Sequence, residues 1–264
     1  MPIFRSGDAD LHYETWGSGP PVLLIHGLGS CLQDWEHQLE ALRAYRVIAF
    51  DLRGHGRSTR GPGPYRIRQF ADDAAALLAH LGVESAHVVG LSLGGGVAFQ
   101  LALDHPACVR SMTIVNSGPH AVQTTFAEHF AIQSRFLILR LFGLPQLGRV
   151  VSGKLFPLAE QAPLRKTFEE RFAGNDKASY RAALRALIGW SVQDRLREIA
   201  CPTLILTADQ DYTPVSWKES YVRLIGDARL VVIPDTHHAL PMEAPGPFNA
   251  ALVAFLDGCE AARR

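Results

Sequence analysis

The run Gly90-Leu91-Ser92-Leu93-Gly94 limits what this chain can fold into more than any other feature. It directly follows an apolar stretch, Ala86-His87-Val88-Val89, and directly precedes a helix-like one, Gly95 to Leu103. Strand, Gly-x-Ser-x-Gly, helix is the context of a sharp turn that presents a serine hydroxyl to solvent. A strand that reverses at once into a helix brings backbone against backbone, so a Cβ at either glycine would collide. The helix that follows aims its positive end at the place where negative charge would develop. The bland alternative is an ordinary Gly/Ser turn. The flanking strand and helix favour the elbow, with Ser92 as candidate nucleophile.

A lone serine is a poor nucleophile and needs a base and an acid. After such an elbow the chain order is Ser, then Asp or Glu, then His. Six apolar-rich runs read as strands: Val22–Ile25, Val47–Phe50, Ala86–Val89, Met112–Val115, Thr203–Thr207 and Leu230–Ile233. Open α/β sheets gather their chemistry at the carboxyl ends of such strands. Past Thr207 the chain reads Ala208-Asp209-Gln210-Asp211-Tyr212-Thr213-Pro214, and past Ile233 it reads Pro234-Asp235-Thr236-His237-His238-Ala239. Acid and base are thus both present in order, each with two candidates.

Further motifs extend over nearly the whole chain. They are His26-Gly27-Leu28-Gly29-Ser30, Asp51-Leu52-Arg53-Gly54-His55-Gly56-Arg57-Ser58, Cys201 to Leu206, and His238 to Pro245 followed by Phe248-Asn249. With the elbow they resemble the α/β-hydrolase fold superfamily. That resemblance implies a mostly parallel central β-sheet flanked by helices, with a helical cap inserted after the sixth strand. It also resolves both pairs. The family's acid sits three residues past a Gly and shortly before a Pro. Ala208 takes that Gly position, which implies Asp211 over Asp209. Counting back from Glu243 and Pro245 implies His238, with His237 in place of the usual Gly. Some relatives carry the acid after the sixth strand, where this chain has Asn116.

The implied roles are those of a Ser-His-Asp triad. His238 would take the Ser92 Oγ proton as the serine attacks a carbonyl and pass it to the leaving group, and Asp211 would hold the imidazole. The resemblance assigns the oxyanion donors to the backbone N–H groups of Leu28 and Leu93. Each such donor is worth roughly 3–4 kcal/mol when removed.

Composition excludes other classes. The chain has 264 residues, 47% hydrophobic and 20% charged, as expected of a soluble globular protein. Lys plus Arg and Asp plus Glu are each 26, so nothing draws it to nucleic acid or an acidic membrane surface. The start Met1-Pro2-Ile3-Phe4-Arg5 does not read as a signal peptide, and no apolar stretch approaches the roughly 20 residues that span a bilayer. Cys31, Cys108, Cys201 and Cys259 lack paired or metal-like spacing and read as free thiols in a reducing cytoplasm. Cys31 lies near the oxyanion segment, but its simplest role is a small packed residue.

The expected organisation is one core in two pieces, residues 1–118 and 197–264, around a helical cap at 119–196. Within the cap, Phe126–Phe142 is strongly apolar, Leu164–Phe172 is charged and helix-like, and Tyr180–Trp190 is amphipathic with Arg181 and Arg185 on its polar side. Gly143, Pro145 and Gly148 are among its punctuation. Such a cap would shelter a site from water. The apolar Phe126–Phe142 face would also suit a homodimer, so monomer and homodimer both stay open.

Several features take plainer readings. His55 is expected to organise its loop and His26 to orient backbone, while Trp35 and Trp190 suit core or pocket wall. A metal site built on His237, His238, Asp209 and Asp211 would leave the elbow unexplained. Gly94-Gly95-Gly96 lacks the Gly-Lys-Ser/Thr ending of a phosphate loop. No metal or cofactor is expected.

Ser92 argues against the family branches whose nucleophile is Asp, and Ala239 after His238 argues against the carbon–carbon bond hydrolases. Ester, thioester or lactone hydrolysis remains. The expectation is a carboxylesterase, a carboxylic ester hydrolase acting on small to medium acyl chains through an acyl-enzyme. Asp51–Ser58, Gly90–Gly96 and Gly63-Pro64-Tyr65 are also similar to 3-oxoadipate enol-lactonases, which need cations for a carboxylated substrate. Arg135, Arg140 and Arg185 are available for that. A slow-turnover ligand receptor on the same fold is the reading from another class.

Overall fold

The computed structural model describes residues 2–122 and 125–263, Ala127 by its backbone alone. Its centre is an eight-stranded sheet in the order β1-β2-β4-β3-β5-β6-β7-β8. The strands are β1 Ile3–Ser6, β2 Ala9–Trp16, β3 Pro21–Ile25, β4 Arg46–Phe50, β5 Ala86–Leu91, β6 Val109–Val115, β7 Thr203–Ala208 and β8 Ala228–Ile233. β1 and β2 pair antiparallel and β2 joins β4 antiparallel, while every pairing from β4 to β8 is parallel. The six apolar runs are β3 to β8. β1 and β2 are additional: IFRS has only two apolar residues, and ADLHYETW mostly alternates apolar and polar residues instead of forming a run.

The central strands are largely apolar because both faces are covered. In β3, Leu23 and Ile25 pack with helices α1 (Ile67–His80) and α2 (Leu93–Asp104). Val22 and Leu24 face the other way, against Trp35 and Phe248, the latter on helix α8 (Pro245–Ala261). This period of two follows from the pleat. α2 is buried along its length from Leu93 to Leu103.

Between β6 and β7 lie three helices: α3 Phe126–Leu155, α4 Ala162–Ala173 and α5 Lys177–Leu187. α3 begins at a reciprocal cap. Thr125 Oγ1 accepts from the Glu128 N–H, and Glu128 Oε2 accepts from the Thr125 N–H at 3.0 Å. Its expected end near Phe142 is a break at Gly143, where φ is +77°, after which the helix resumes to Leu155. Pro145 is tolerated because it stands in the first turn of the second half, where an N–H lacks a helical partner. Asp176 caps α5 by accepting from the Ser179 N–H at 2.7 Å. Arg181 and Arg185 lie on its exposed side as expected. On the first half of α3, Phe126 is 86% exposed, and Phe130, Leu137, Leu141 and Phe142 are also exposed.

The three helices share an apolar cluster, with Leu147, Phe156, Phe168, Phe172 and Tyr180 at its centre. Ala239 and Met242, from the segment after β8, belong to the same cluster, and Leu28 packs against it. Asn175 adds polar ties, donating to the Gly29 carbonyl at 2.8 Å and accepting from the Gly56 N–H at 3.1 Å. The helices are therefore seated on the loops at the carboxyl ends of β3, β4 and β8. After β7 come α6 (Val215–Val222) and, beyond β8, the short α7 (Leu240–Glu243). Among the described residues, no helix is long and apolar enough to cross a membrane.

Candidate active site

Ser92 stands between β5 and α2 with φ +54° and ψ −113°, a conformation costly for any residue bearing a Cβ. Its surroundings enforce that conformation. The Ser92 N–H donates to the Val115 carbonyl at 3.0 Å, and Ser117 Oγ donates to the Ser92 carbonyl at 2.6 Å. The two glycines of the motif are needed for close approach. A Cβ on Gly90 would strike the Gly94 carbonyl, and one on Gly94 would strike the Ile25 carbonyl. Neither obstacle is a side chain that can turn aside.

The loop after β7 separates the two carboxylate candidates. Asp209 faces the neighbouring loop, where its Oδ1 accepts from the Thr236 N–H at 3.2 Å. The Asp211 side chain is buried, and its Oδ1 accepts from His238 Nδ1 at 2.6 Å. The two histidines separate as well. His237 Nδ1 is 2.7 Å from Glu243 Oε1, and its backbone N–H donates to Glu243 Oε2 at 2.6 Å. Asp211 and His238 are thus joined, while His237 and Asp209 brace the loops that carry them. Among the described residues, no group of three or more His, Cys, Asp or Glu side chains is arranged to hold a metal ion.

Three neighbours of this pair were not expected as site residues. Lys218 on α6 is fully buried, and its Nζ donates to Asp211 Oδ2 at 2.6 Å. It also donates to the Thr213 carbonyl at 2.6 Å and to Thr213 Oγ1 at 2.5 Å. Burial alone would raise the Asp211 pKa, but the charges of His238 and Lys218 outweigh it and hold the carboxyl well below its ordinary value. The Tyr212 ring stacks on the His238 imidazole, centroid to centroid 4.1 Å. Asn116, at the position after β6 where a carboxylate was absent, has φ +43°. Its Nδ2 donates to the carbonyls of His237 and His238 at 3.1 and 2.9 Å. Its Oδ1 accepts from the Ala208 N–H at 2.8 Å and Thr207 Oγ1 at 3.0 Å. One signal was available: a short amide at the carboxyl end of a central strand, where strand-end polar groups need partners.

The oxyanion segment after β3 is held from below. His26 Nδ1 donates to the Gly27 carbonyl at 2.8 Å and its Nε2 accepts from the Leu52 N–H at 3.0 Å, which requires one neutral tautomer. Burial lowers the His26 pKa accordingly. Asp51, fully buried, accepts from the N–H groups of Leu32 and Arg57 and from His12 Nδ1. Among the described residues, neither the Leu28 N–H nor the Leu93 N–H donates to another backbone group outside regular helix or strand bonding. Cys31 is buried, and that burial, with Asp34 and Asp51 adding to it, pushes its thiol up to about 12. A buried thiol with so little thiolate suits packing.

Ser92 and His238 line two cavities. One, of about 70 Å³, is bounded by Gly27, Leu28, Phe168, Met242 and Arg135. The other, of about 200 Å³, is bounded by Leu93, Asn116, Trp190 and Trp217. Trp190 also packs over Gly96 and donates from Nε1 to Gln100 at 2.9 Å. A wider cleft of about 640 Å³ adjoins both and shares Arg135 and Tyr212 with the smaller one. The three arginines separate here. Arg135 lines the smaller cavity and the wider cleft, whereas Arg140 and Arg185 line a different cleft with Arg181, and Arg185 lies over the Phe136 ring at 5.8 Å.

Comparison with known proteins points the same way. The alpha/beta hydrolase fold family matches residues 20–245. The chain is 34% identical to a putative carbamate hydrolase, RutD, of Azorhizobium caulinodans, over 97% of this chain and 98% of that one. Its structure superposes on the crystal structure of the enol-lactonase from Burkholderia xenovorans LB400 with a TM-score of 0.90. Identity there is 25%, covering 97% of this chain and 100% of that one. A thermophilic esterase from Thermogutta terrifontis gives a TM-score of 0.86 at 28% identity, covering 95% and 94%.

Proposed function

The chain belongs to the alpha/beta hydrolase fold family, and we propose that within it this protein is a serine hydrolase of short-acyl carboxylic esters. The observation that carries the proposal is the 2.6 Å contact between His238 Nδ1 and the buried Asp211 carboxylate, on a cavity wall shared with Ser92. In this reading His238 Nε2 takes the Ser92 Oγ proton as Oγ adds to the substrate carbonyl. The N–H groups of Leu28 and Leu93 receive the oxyanion. Collapse expels the alcohol, which takes the proton from His238, and leaves an ester on Ser92. Water, deprotonated by His238, repeats the sequence and frees the acid.

The small cavity beside Leu28 and Phe168 favours a short acyl group, and the wider cleft beyond Arg135 leaves room for a larger alcohol part. In this account residues 119–196 act as the cap, because α3 and α4 supply Arg135, Val151, Leu155 and Phe168 to the cavity wall. The test is steady-state hydrolysis of p-nitrophenyl acetate, butyrate and octanoate, with a phenyl carbamate alongside, by wild type and Ser92→Ala. Repeated turnover falling from butyrate to octanoate supports the reading. A single stalled turnover would favour the receptor reading instead.

Arg135 favours a second substrate class, a lactone carrying a carboxylate. Arg135→Met should then raise KM for the carboxylated lactone roughly tenfold or more and leave a neutral ester unchanged.

A further inference from the structure

A lysine with no exposed side-chain surface is unusual, because an ammonium loses its hydration on burial. Lys218 is such a residue, with 0% exposure. All three of its N–H donors are met by Asp211 Oδ2, the Thr213 carbonyl and Thr213 Oγ1. Thr213 Oγ1 also lies 2.7 Å from Asp211 Oδ2. Asp211 therefore has one oxygen held by a cation and a hydroxyl, and the other bonded to His238 Nδ1.

We propose that Lys218 is a positioning residue for the acid of the triad: it locks the Asp211 carboxylate and shares its charge, and so fixes the partner that holds the His238 imidazole. The inference rests on the Ser92–His238–Asp211 reading. Two consequences follow from the geometry. The carboxylate cannot turn about its Cβ–Cγ bond without breaking an ion pair, which fixes the direction of the imidazole. The Lys218 ammonium also offsets part of the negative charge that Asp211 presents to the imidazole. Other ionisable groups around Asp211 have their own engagements. Tyr221, on the same helix, donates to the Ser117 carbonyl at 2.7 Å. His237 is held by Glu243, and Asp209 by the Thr236 N–H. Tyr212 stacks on the imidazole of His238.

The experiment compares wild type, Lys218→Met and Ser92→Ala by kcat/KM against pH on p-nitrophenyl butyrate. Lys218→Met should lower kcat roughly tenfold with KM within about twofold. The acid limb of its profile should move up by about one pH unit. A fall in kcat equal at every pH, with the acid limb in place, would mean a structural role only and would overturn the proposal. If Ser92→Ala keeps wild-type turnover, the triad reading itself fails. If Ser92→Ala is dead and Lys218→Met has the wild-type limb, only the Lys218 inference fails. Should Lys218→Met not fold, ¹⁵N-lysine spectra of the wild-type protein answer the same question. The Lys218 Nζ resonance should shift with the midpoint of the acid limb, and a resonance indifferent to that midpoint contradicts the proposal.

Discussion

Asn116 Nδ2 lies 2.9 Å from the backbone oxygen of His238 and donates to it, tying the end of β6 to the loop that carries the candidate base. The same side chain accepts from Ala208, so one amide joins three strand ends. Asn116→Ala leaves those buried groups unpaired and should cost about 1–3 kcal/mol of stability. It should also lower kcat/KM by about tenfold or more, since a misplaced base is costly. Urea unfolding and ester kinetics on one preparation check both. Asn116→Asp should be no rescue, because it trades the Nδ2 donor for an acceptor facing two carbonyls.

The two carboxylates of the β7 loop should differ by orders of magnitude. Asp211→Asn removes the charge beside His238 Nδ1 and should lower kcat by about 10⁴. Asp209→Asn keeps an oxygen for the Thr236 N–H and should stay within about tenfold of wild type. Equal losses in the two variants would contradict the assignment.

Gly94→Ala should unfold the site. The new methyl would meet the Ile25 carbonyl, and β3 cannot move without breaking its ladders to β4 and β5. The expected loss is about 3 kcal/mol or more. Gly226, exposed and with nothing within 4 Å of a Cβ, is the control. Gly226→Ala should stay within about 1 kcal/mol by thermal or urea unfolding.

The fold was largely legible in the sequence and the candidate site only in part, and the limits have physical reasons. The central strands announced themselves because burial on both faces demands continuous apolar residues, as in Val22–Ile25 and Thr203–Thr207. β1 and β2 did not, because His12, Tyr13 and Glu14 interrupt any run. The residues alone left Asp209 level with Asp211 and His237 level with His238. Family spacing separated them, and the hydrogen bonds follow the same division. Lys218 was invisible for a different reason. Inside Val215-Ser216-Trp217-Lys218-Glu219 it reads as a solvated charge, and only the fold brings its partner Asp211 to it.

Acid should destabilise the fold in a defined window. His55 is buried with its Nδ1 3.2 Å from the Arg53 carbonyl, and burial, reinforced by the neighbouring His26, lowers its pKa to about 3. An unfolded histidine titrates near 6.5, so between pH 6.5 and 3 the unfolded chain holds a proton that the folded chain lacks. This contribution is fully present above pH 6.5 and is lost as pH falls, at up to about 1.4 kcal/mol per unit. His55→Asn should show a shallower slope of unfolding free energy between pH 6 and 4, by about one proton. Parallel slopes in variant and wild type would contradict this.

Covalent capture reads out whether Ser92 Oγ is the nucleophile. Wild type treated with a fluorophosphonate should gain the mass of one phosphonyl group, and peptide mapping should find it on Ser92. Ser92→Ala should gain nothing, and Asp211→Asn should react far more slowly. A phosphonyl group on any other residue, or an unlabelled wild type, would rule out Ser92 as the nucleophile.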